Sequence, residues 1–322
     1  MNRKIFTATD NGVSVLKRVD SGWEVENTWL KDKSFTSISI SKNGSILAGA
    51  RDGLFLSPDN GNNWQEVSSD LQHKHIRSLA FHPINQGFAY AGTEPAAVYF
   101  SKDGGMNWQE SNDVSRLREE NDWYLPYSPE AGCIRGFAFE GQKGFAAVEV
   151  GGMLVTYDFG ETWRLTQDNN ILRPNSGEIH ADVHRVFFHP DSSNKVIAPT
   201  GGGLYISDDA GKSWKRFHSD YCRAIWVSPK NDNHMILGPA DGPDRNGRIE
   251  QTIDGGATWE TLNKGLDTPW PRTMVEHFTP TMDGLLAVLS SGRLIYAEFN
   301  EMHWQEVLSK ESGIRAVAVL EE

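Results

Sequence analysis

The sequence predicts an all-β fold, a seven-bladed β-propeller, and three observations carry that expectation. Seven tryptophans (Trp23, Trp64, Trp108, Trp163, Trp214, Trp259 and Trp304) recur at gaps of 41, 44, 55, 51, 45 and 45 residues. A self-similar period of this size marks a repeat architecture. Five of the seven close an eight-residue segment of the form Ser/Thr-x-Asp-x-Gly-x-x-Trp: Ser57 to Trp64, Ser101 to Trp108, Thr156 to Trp163, Ser207 to Trp214 and Thr252 to Trp259. Finally, 322 residues divided by seven give 46 per unit, the length of a four-stranded blade. Short runs rich in Val, Ile, Phe and Tyr alternate with Gly, Asn and Asp turns, without sustained helical periodicity.

The repeated segment is turn-building chemistry. Asp59, Asp103, Asp158, Asp209 and Asp254 each stand two residues after a hydroxyl residue and two before a glycine. A short carboxylate there accepts hydrogen bonds from nearby backbone N–H groups, and the glycine supplies a conformation a Cβ resists. The tryptophan ring anchors the turn against the flanking strands. These aspartates are therefore expected to be structural. The segment is the Asp-box, and over its whole length the chain resembles the Asp-box (BNR) repeat β-propellers, a superfamily that includes the sialidases and other glycosyl hydrolases. The resemblance speaks to fold; activity does not follow from it.

Along the chain, Lys4 to Thr9 reads as a second strand lacking its first. Copies of the innermost strand occur at Ile76 to Pro83, Val183 to Pro190 and Cys222 to Pro229. A last copy, Ile314 to Leu320, has only two glutamates after it. The C-terminal strand is therefore expected to complete the N-terminal blade, removing the open edge a ring would otherwise expose, so that residues 1–322 form one propeller. The first and seventh boxes (Leu16 to Trp23 and Ala297 to Trp304) keep the tryptophan but lack the central aspartate. Both flank the closure, where repeats are often atypical.

The Asp-box lies at the turn between the third and fourth strands of a blade. The resemblance implies that ligands bind on the opposite face, in the second-to-third turns and the blade connections. Counting six residues back from the end of each inner strand gives Thr36, Arg77, Arg135, His184, Arg223 and Arg315, with Arg272, Met274 and Glu276 all near the remaining place. Four arginines and a histidine starting the inner strands form a cationic ring. Guanidinium forks match carboxylate, phosphate or sulfate, so the ring suits an anion; equally, the arginines can pair with carboxylates between blades. The double substitution Arg77→Ala with Arg223→Ala is expected to abolish binding of an acidic ligand.

A second constellation is His180-Ala-Asp182-Val-His184. In extended chain these three polar side chains point the same way, which makes His180, Asp182 and His184 the candidate catalytic group. His180 and His184 are also candidate ligands for one divalent metal ion. The alternative is a polar loop whose histidines bond to backbone. His75, Glu94, Glu149 and Asp241 fall on loops of the same face and join the ligand-binding candidates. So do Trp123 and Tyr124, in the long connection between Ser111 and Cys133, as a wall against which a sugar or ring stacks, or as pins for that loop. Cys133 and Cys222 stand beside ring arginines in blades too far apart for a disulfide.

Forty-three Asp and Glu against 31 Lys and Arg give a net charge of −12, which disfavours nucleic acid as a partner. No apolar run is long enough to span a bilayer, and the N-terminus has no apolar leader core, so a cytoplasmic protein is expected. Two function classes remain. One is a hydrolase or lyase acting on an anionic small molecule or carbohydrate, in which paired carboxylates among Glu94, Glu149, Asp182 and Asp241 do the work. True sialidase chemistry is disfavoured, because the Arg-Ile-Pro signature of that family is absent. The other is a non-catalytic, protein-binding propeller: the chain also resembles the photosystem II assembly factors in length and in an arginine-rich face. The density of His and carboxylates about the channel inclines the sequence reading to the enzyme.

Overall fold

Seven four-stranded antiparallel sheets stand around a central channel in the computed structural model, which describes residues 3–19, 22–125, 132–167, 172–190, 192–308 and 313–321. In the first blade, Ile314–Glu321 is the innermost strand. It pairs with Arg3–Thr9, followed outward by Gly12–Val19 and Gly22–Trp29. The ring thus closes as the sequence predicts, with the two ends of the chain in one sheet. The six other blades run from inside outward in chain order, with inner strands Phe35–Ile40, His75–Phe81, Cys133–Glu140, Phe187–His189, Tyr221–Ser228 and Val275–Pro280. Each blade buries both faces against its neighbours, so the second and third strands read as continuous apolar runs, such as Ile46–Ala50 and Leu285 to Leu289, rather than as alternations.

Every full Asp-box occupies the turn between third and fourth strands, and the five are built alike. In blade four the hydroxyl of Thr156 donates to Asp158 Oδ1 (2.7 Å) and accepts from the N–H of Gly160 (3.0 Å). Asp158 also accepts from the N–H (3.0 Å) and hydroxyl (2.5 Å) of Thr162. Asn63, Asn107, Ser213 and Thr258 repeat that second role, so the residue before the tryptophan belongs to the motif, which its sequence form did not include. Gly61 has φ +87°, and a Cβ there would lie 2.7 Å from the Phe6 ring, so both backbone and packing require glycine.

One element departs from the all-β expectation. Asn112–Glu120, in the connection expected to be loop, forms a nine-residue α-helix with Val114 turned into the core. Its outer face is laced by Arg116, which pairs with both Asp113 and Glu120. After it, Trp123 is 2 % exposed and packs with Ala96, Val114 and Val148. It pins the connection and is not free to stack on a ligand, a correction that follows from its burial. Tyr124 stays exposed, while the rest of the aromatic stretch (Pro126 and Tyr127) lies outside the described residues.

Candidate functional site

Six inner strands carry a β-bulge near their starts. Ile76 pairs with Thr93 and Ser78 with Gly92, leaving Arg77 between them unpaired; Ile134 and Gly136 leave out Arg135 in the same way. The same interruption leaves out Thr36, Arg223, Glu276 and Arg315. In blade five an isolated bridge from Val183 to Thr200 and the Phe187 to Ile197 pair put His184 at the equivalent place. A bulge bends the strand and re-aims the extra side chain. It is the device that collects one residue per blade at the channel mouth. The register predicted from sequence is therefore the bulge register, with Glu276 as its seventh member.

The arginines are heavily paired. Arg77 donates to Glu94 (2.8 Å), with His75 3.8 Å from the same carboxylate. Arg315 grips Asp10 through two hydrogen bonds (2.6 and 3.0 Å). Glu276 bridges Arg223, to which it is tightly bonded, and Arg135 (3.4 Å); Arg135 in turn lies 3.6 Å from Glu149. Burial works to raise the Glu276 carboxyl, but Arg223 and Arg135 outweigh it and hold it at about 2. So much of the ring is structural ion pairing, as the alternative reading anticipated.

A cavity of about 260 Å³ nevertheless opens at the mouth, lined by five arginines (Arg51, Arg77, Arg135, Arg185 and Arg315) against one carboxylate, Glu276. A narrower space of about 150 Å³ continues down the channel past Ser37, Ser78 and Gly136. Among the described residues, neither Arg51 nor Arg185 has a carboxylate within ion-pairing distance, whereas the other three do. Burial and the charge of Arg135 depress the proton affinity of Arg185, and Glu276 offsets them only in part. It stays charged, and an anion in the cavity would offset that burial. Sequence reasoning missed both residues. A signal for Arg185 existed: the position just after the bulge is Ser37, Ser78, Gly136, Ala224 or Ala316 in five blades, and only Arg185 and His277 are large.

The histidine constellation is not brought together as expected. Residues 180–184 lie in irregular chain: His184 is buried, whereas half-buried His180 accepts a hydrogen bond from the Asp182 N–H at Nδ1 (3.2 Å). His180 lines a separate surface cavity with Arg173, Tyr205 and Trp214. Among the described residues, His180 is not one of those that come together around His184. Instead His184, 1 % exposed, lies against Asp182 (Nε2 to Oδ2, 3.5 Å), and ligand atoms of Glu149, Asp182 and His184 all fall within 4.8 Å of one another. Burial and the charge of Glu149 push Asp182 up to about 7. Burial also opposes ionisation of Glu149, but the charge of Arg135 outweighs it and holds the carboxyl at about 2. Burial keeps His184 neutral. The Cys133 thiol donates to Glu149 (3.2 Å), and burial raises it far out of the nucleophilic range; Cys222 is likewise buried, pushed up to about 12. Asp241 lies 3.5 Å from Arg248 and accepts from Asn246, outside the cavity lining.

Comparison with known proteins agrees with the repeat. The BNR/Asp-box repeat model matches residues 205–216, and the sortilin (neurotensin receptor 3) model matches residues 52–172. Seven blades and five built boxes agree with the repeat match. The chain is an Asp-box β-propeller. This propeller is 24% identical over 282 residues to the photosystem II assembly lipoprotein Ycf48 of Synechococcus sp. (strain CC9902), covering 82% of this chain and 75% of the relative. Among solved structures, YCF48 bound to D1 peptide matches with TM-score 0.59 at 17% identity, over 87% of this chain and 83% of that one. The GH74 enzyme of Niastella koreensis matches with TM-score 0.66 at 15% identity, over 94% of this chain but 51% of its own. At such identities the structural matches establish shared fold. Among the described residues no helix is long and apolar enough to cross a membrane.

Proposed function

We propose that this propeller is a non-catalytic, protein-binding module that receives a carboxylate-bearing peptide segment at the channel mouth. The observation that carries the reading is the cavity of about 260 Å³ with five arginines and one carboxylate, two of the guanidiniums having no ion-pair partner among the described residues. Several guanidinium forks converging in a partly water-excluded space favour a planar, bidentate anion, and a carboxylate fits that geometry. The size argues the same way. Ligand pockets for whole small molecules run to roughly 300–1,000 Å³. This cavity suits an acidic side chain or a chain terminus, with the rest of the partner lying across the rim. The assembly relatives, one of them solved with a peptide bound, favour a protein partner over the hydrolase that the sequence alone suggested. The carboxylates proposed for hydrolysis are also poorly disposed for it: Glu94 is committed to Arg77, Asp241 to Arg248, and Glu149 and Asp182 lie outside the cavity lining.

The test is fluorescence anisotropy with a labelled ten-residue peptide ending in Asp-Ala and a free C-terminus, at low salt. Its affinity is expected to fall at least tenfold in Arg51→Ala with Arg185→Ala, and to fall with rising salt. Equal binding by wild type and the double variant sinks the reading.

A further inference from the structure

Away from the arginine cavity, the cluster of Glu149, Asp182 and His184 has an imbalance that its protein partners leave unresolved. Glu149 ends the second strand of blade four, Lys143–Glu149, while Asp182 and His184 come from the irregular segment that leads into blade five. His184 is almost wholly buried, yet among the described residues neither Nδ1 nor Nε2 has a hydrogen-bond partner, and Asp182 Oδ1 also lacks one. An imidazole sealed from water with both nitrogens unsatisfied costs on the order of 1–3 kcal/mol per orphaned group, and such groups in native structures point to an absent water or ion. The side chains are held in place. The His184 ring packs on Tyr221 at 4.9 Å, and Tyr221 is bonded to Arg223. Gly201 makes room for the Asp182 carboxylate, since a Cβ there would stand 2.3 Å from Oδ2.

We propose that Glu149, Asp182 and His184 form a binding site for one divalent transition-metal ion of the zinc type, joining blade four to the chain that enters blade five. The ligand chemistry fits: one imidazole and two carboxylates suit a borderline cation, and three protein ligands leave a fourth position for water. The spacing fits as well. The 3.5 Å from His184 Nε2 to Asp182 Oδ2 is close to the edge of a tetrahedron with bonds of about 2.0–2.1 Å. Two facing carboxylates would otherwise repel one another, and a dication between them removes that repulsion. Arg135 lies 3.6 Å from Glu149 but is shared with Glu276 at 3.4 Å, so a metal would compete with that one guanidinium for the Glu149 carboxylate, while Arg223 is bonded to Glu276. Calcium or magnesium suits the set less well, since both favour all-oxygen shells of six or more ligands. The consequence is mechanical. The segment before blade five has only an isolated bridge where other inner strands have a ladder, and a metal would staple it to its neighbour.

The experiment uses the full chain, stripped with chelator and titrated calorimetrically with zinc chloride, with thermal melting measured in parallel. Wild type is expected to bind one ion and to melt higher with zinc. Asp182→Asn and Glu149→Gln, which keep the side-chain volume, are each expected to weaken binding at least tenfold and to lose the zinc-dependent rise in Tm. His180→Ala, outside the group, is expected to bind as wild type does. Wild type that binds no zinc overturns the proposal. So does equal binding in the two isosteric variants, or a loss in His180→Ala equal to theirs.

Discussion

On the Asp-box face, Asp158 takes its hydrogen bonds from Thr156 and Thr162, partners no more than four residues away, and each of the five boxes does the same with its own neighbours. On the channel face, Glu276 takes its ion pairs from Arg223 and Arg135, 53 and 141 residues distant. Both arrangements hold carboxylates below their ordinary range. The first does so with neutral hydroxyls and amides at the surface, the second with guanidiniums in a confined space. The difference is one of what removal leaves behind. An opened Asp-box exposes a turn to water, which can solvate it. A broken channel pair strands a charge where water is scarce.

The strongest way to break the comparison is to open the ring on which both faces depend. Deleting residues 314–322 removes the innermost strand of blade one, with its buried Ile314, Ala316 and Val317, and exposes the paired edge of Arg3–Thr9. Lost apolar burial of about 1.5–3 kcal/mol per large side chain, together with an open edge, is expected to make the protein aggregate or to lower its Tm by well over ten degrees. A truncated protein melting with wild type would mean that the closure contributes little.

Next in size is Glu276→Gln. It leaves Arg135 and Arg223 without their shared counter-charge, a change that typically costs about 3–5 kcal/mol. It should at the same time tighten binding of the acidic peptide, because the cavity gains a positive charge. The pH dependence sharpens the point. A carboxyl held at about 2 in the fold against 4.5 ordinarily contributes stability that is present above about pH 4.5 and is lost as pH falls towards 2. Denaturant midpoints measured between pH 5 and pH 2.5 should therefore fall less steeply in Glu276→Gln than in wild type. Parallel slopes would show that Glu276 is not held down by its arginines.

Range also explains what could be read from the chain. The Asp-boxes, the blade count, the closure and the bulge register all follow from local patterns repeated at a fixed period. Arg185 escaped because its importance is relational. It is one place past the bulge, where five blades carry a small residue, and it lacks the carboxylate its neighbours have. The His180 and His184 pair failed for a similar reason. Alternation holds in a strand, and that segment is not one; His184 is buried beside Asp182 and Glu149, while His180 lines a separate cavity. Glu149 and Asp182 were both legible as candidates, but their meeting with His184 depends on how two blades pack.

On the surface side the expected effects are smaller. Asp158→Ala removes the acceptor of three hydrogen bonds in one turn, and is expected to cost about 1–2 kcal/mol while leaving peptide affinity unchanged. Chemical denaturation and the anisotropy assay, run on the same preparation, check both halves of that statement. A loss of binding would couple the two faces.

Arg315→Ala tests where the boundary between the regimes falls. Arg315 lines the cavity and occupies the bulge register, yet its pair with Asp10 lies towards the solvent, with side chains 39% and 44% exposed. The Asp10 carboxyl is lowered chiefly by its hydrogen bond from Arg315, but at that exposure the pair is screened, and its loss is expected to cost no more than about 0.5–1 kcal/mol. Its contribution to anion binding should be correspondingly modest, a few-fold weakening that shrinks as salt rises. If Arg315→Ala instead weakens the peptide as much as Arg185→Ala does, then position on the ring decides affinity. If it does not, the freedom of the guanidinium from a competing carboxylate decides it, and Arg185 and Arg51 are the residues that bind.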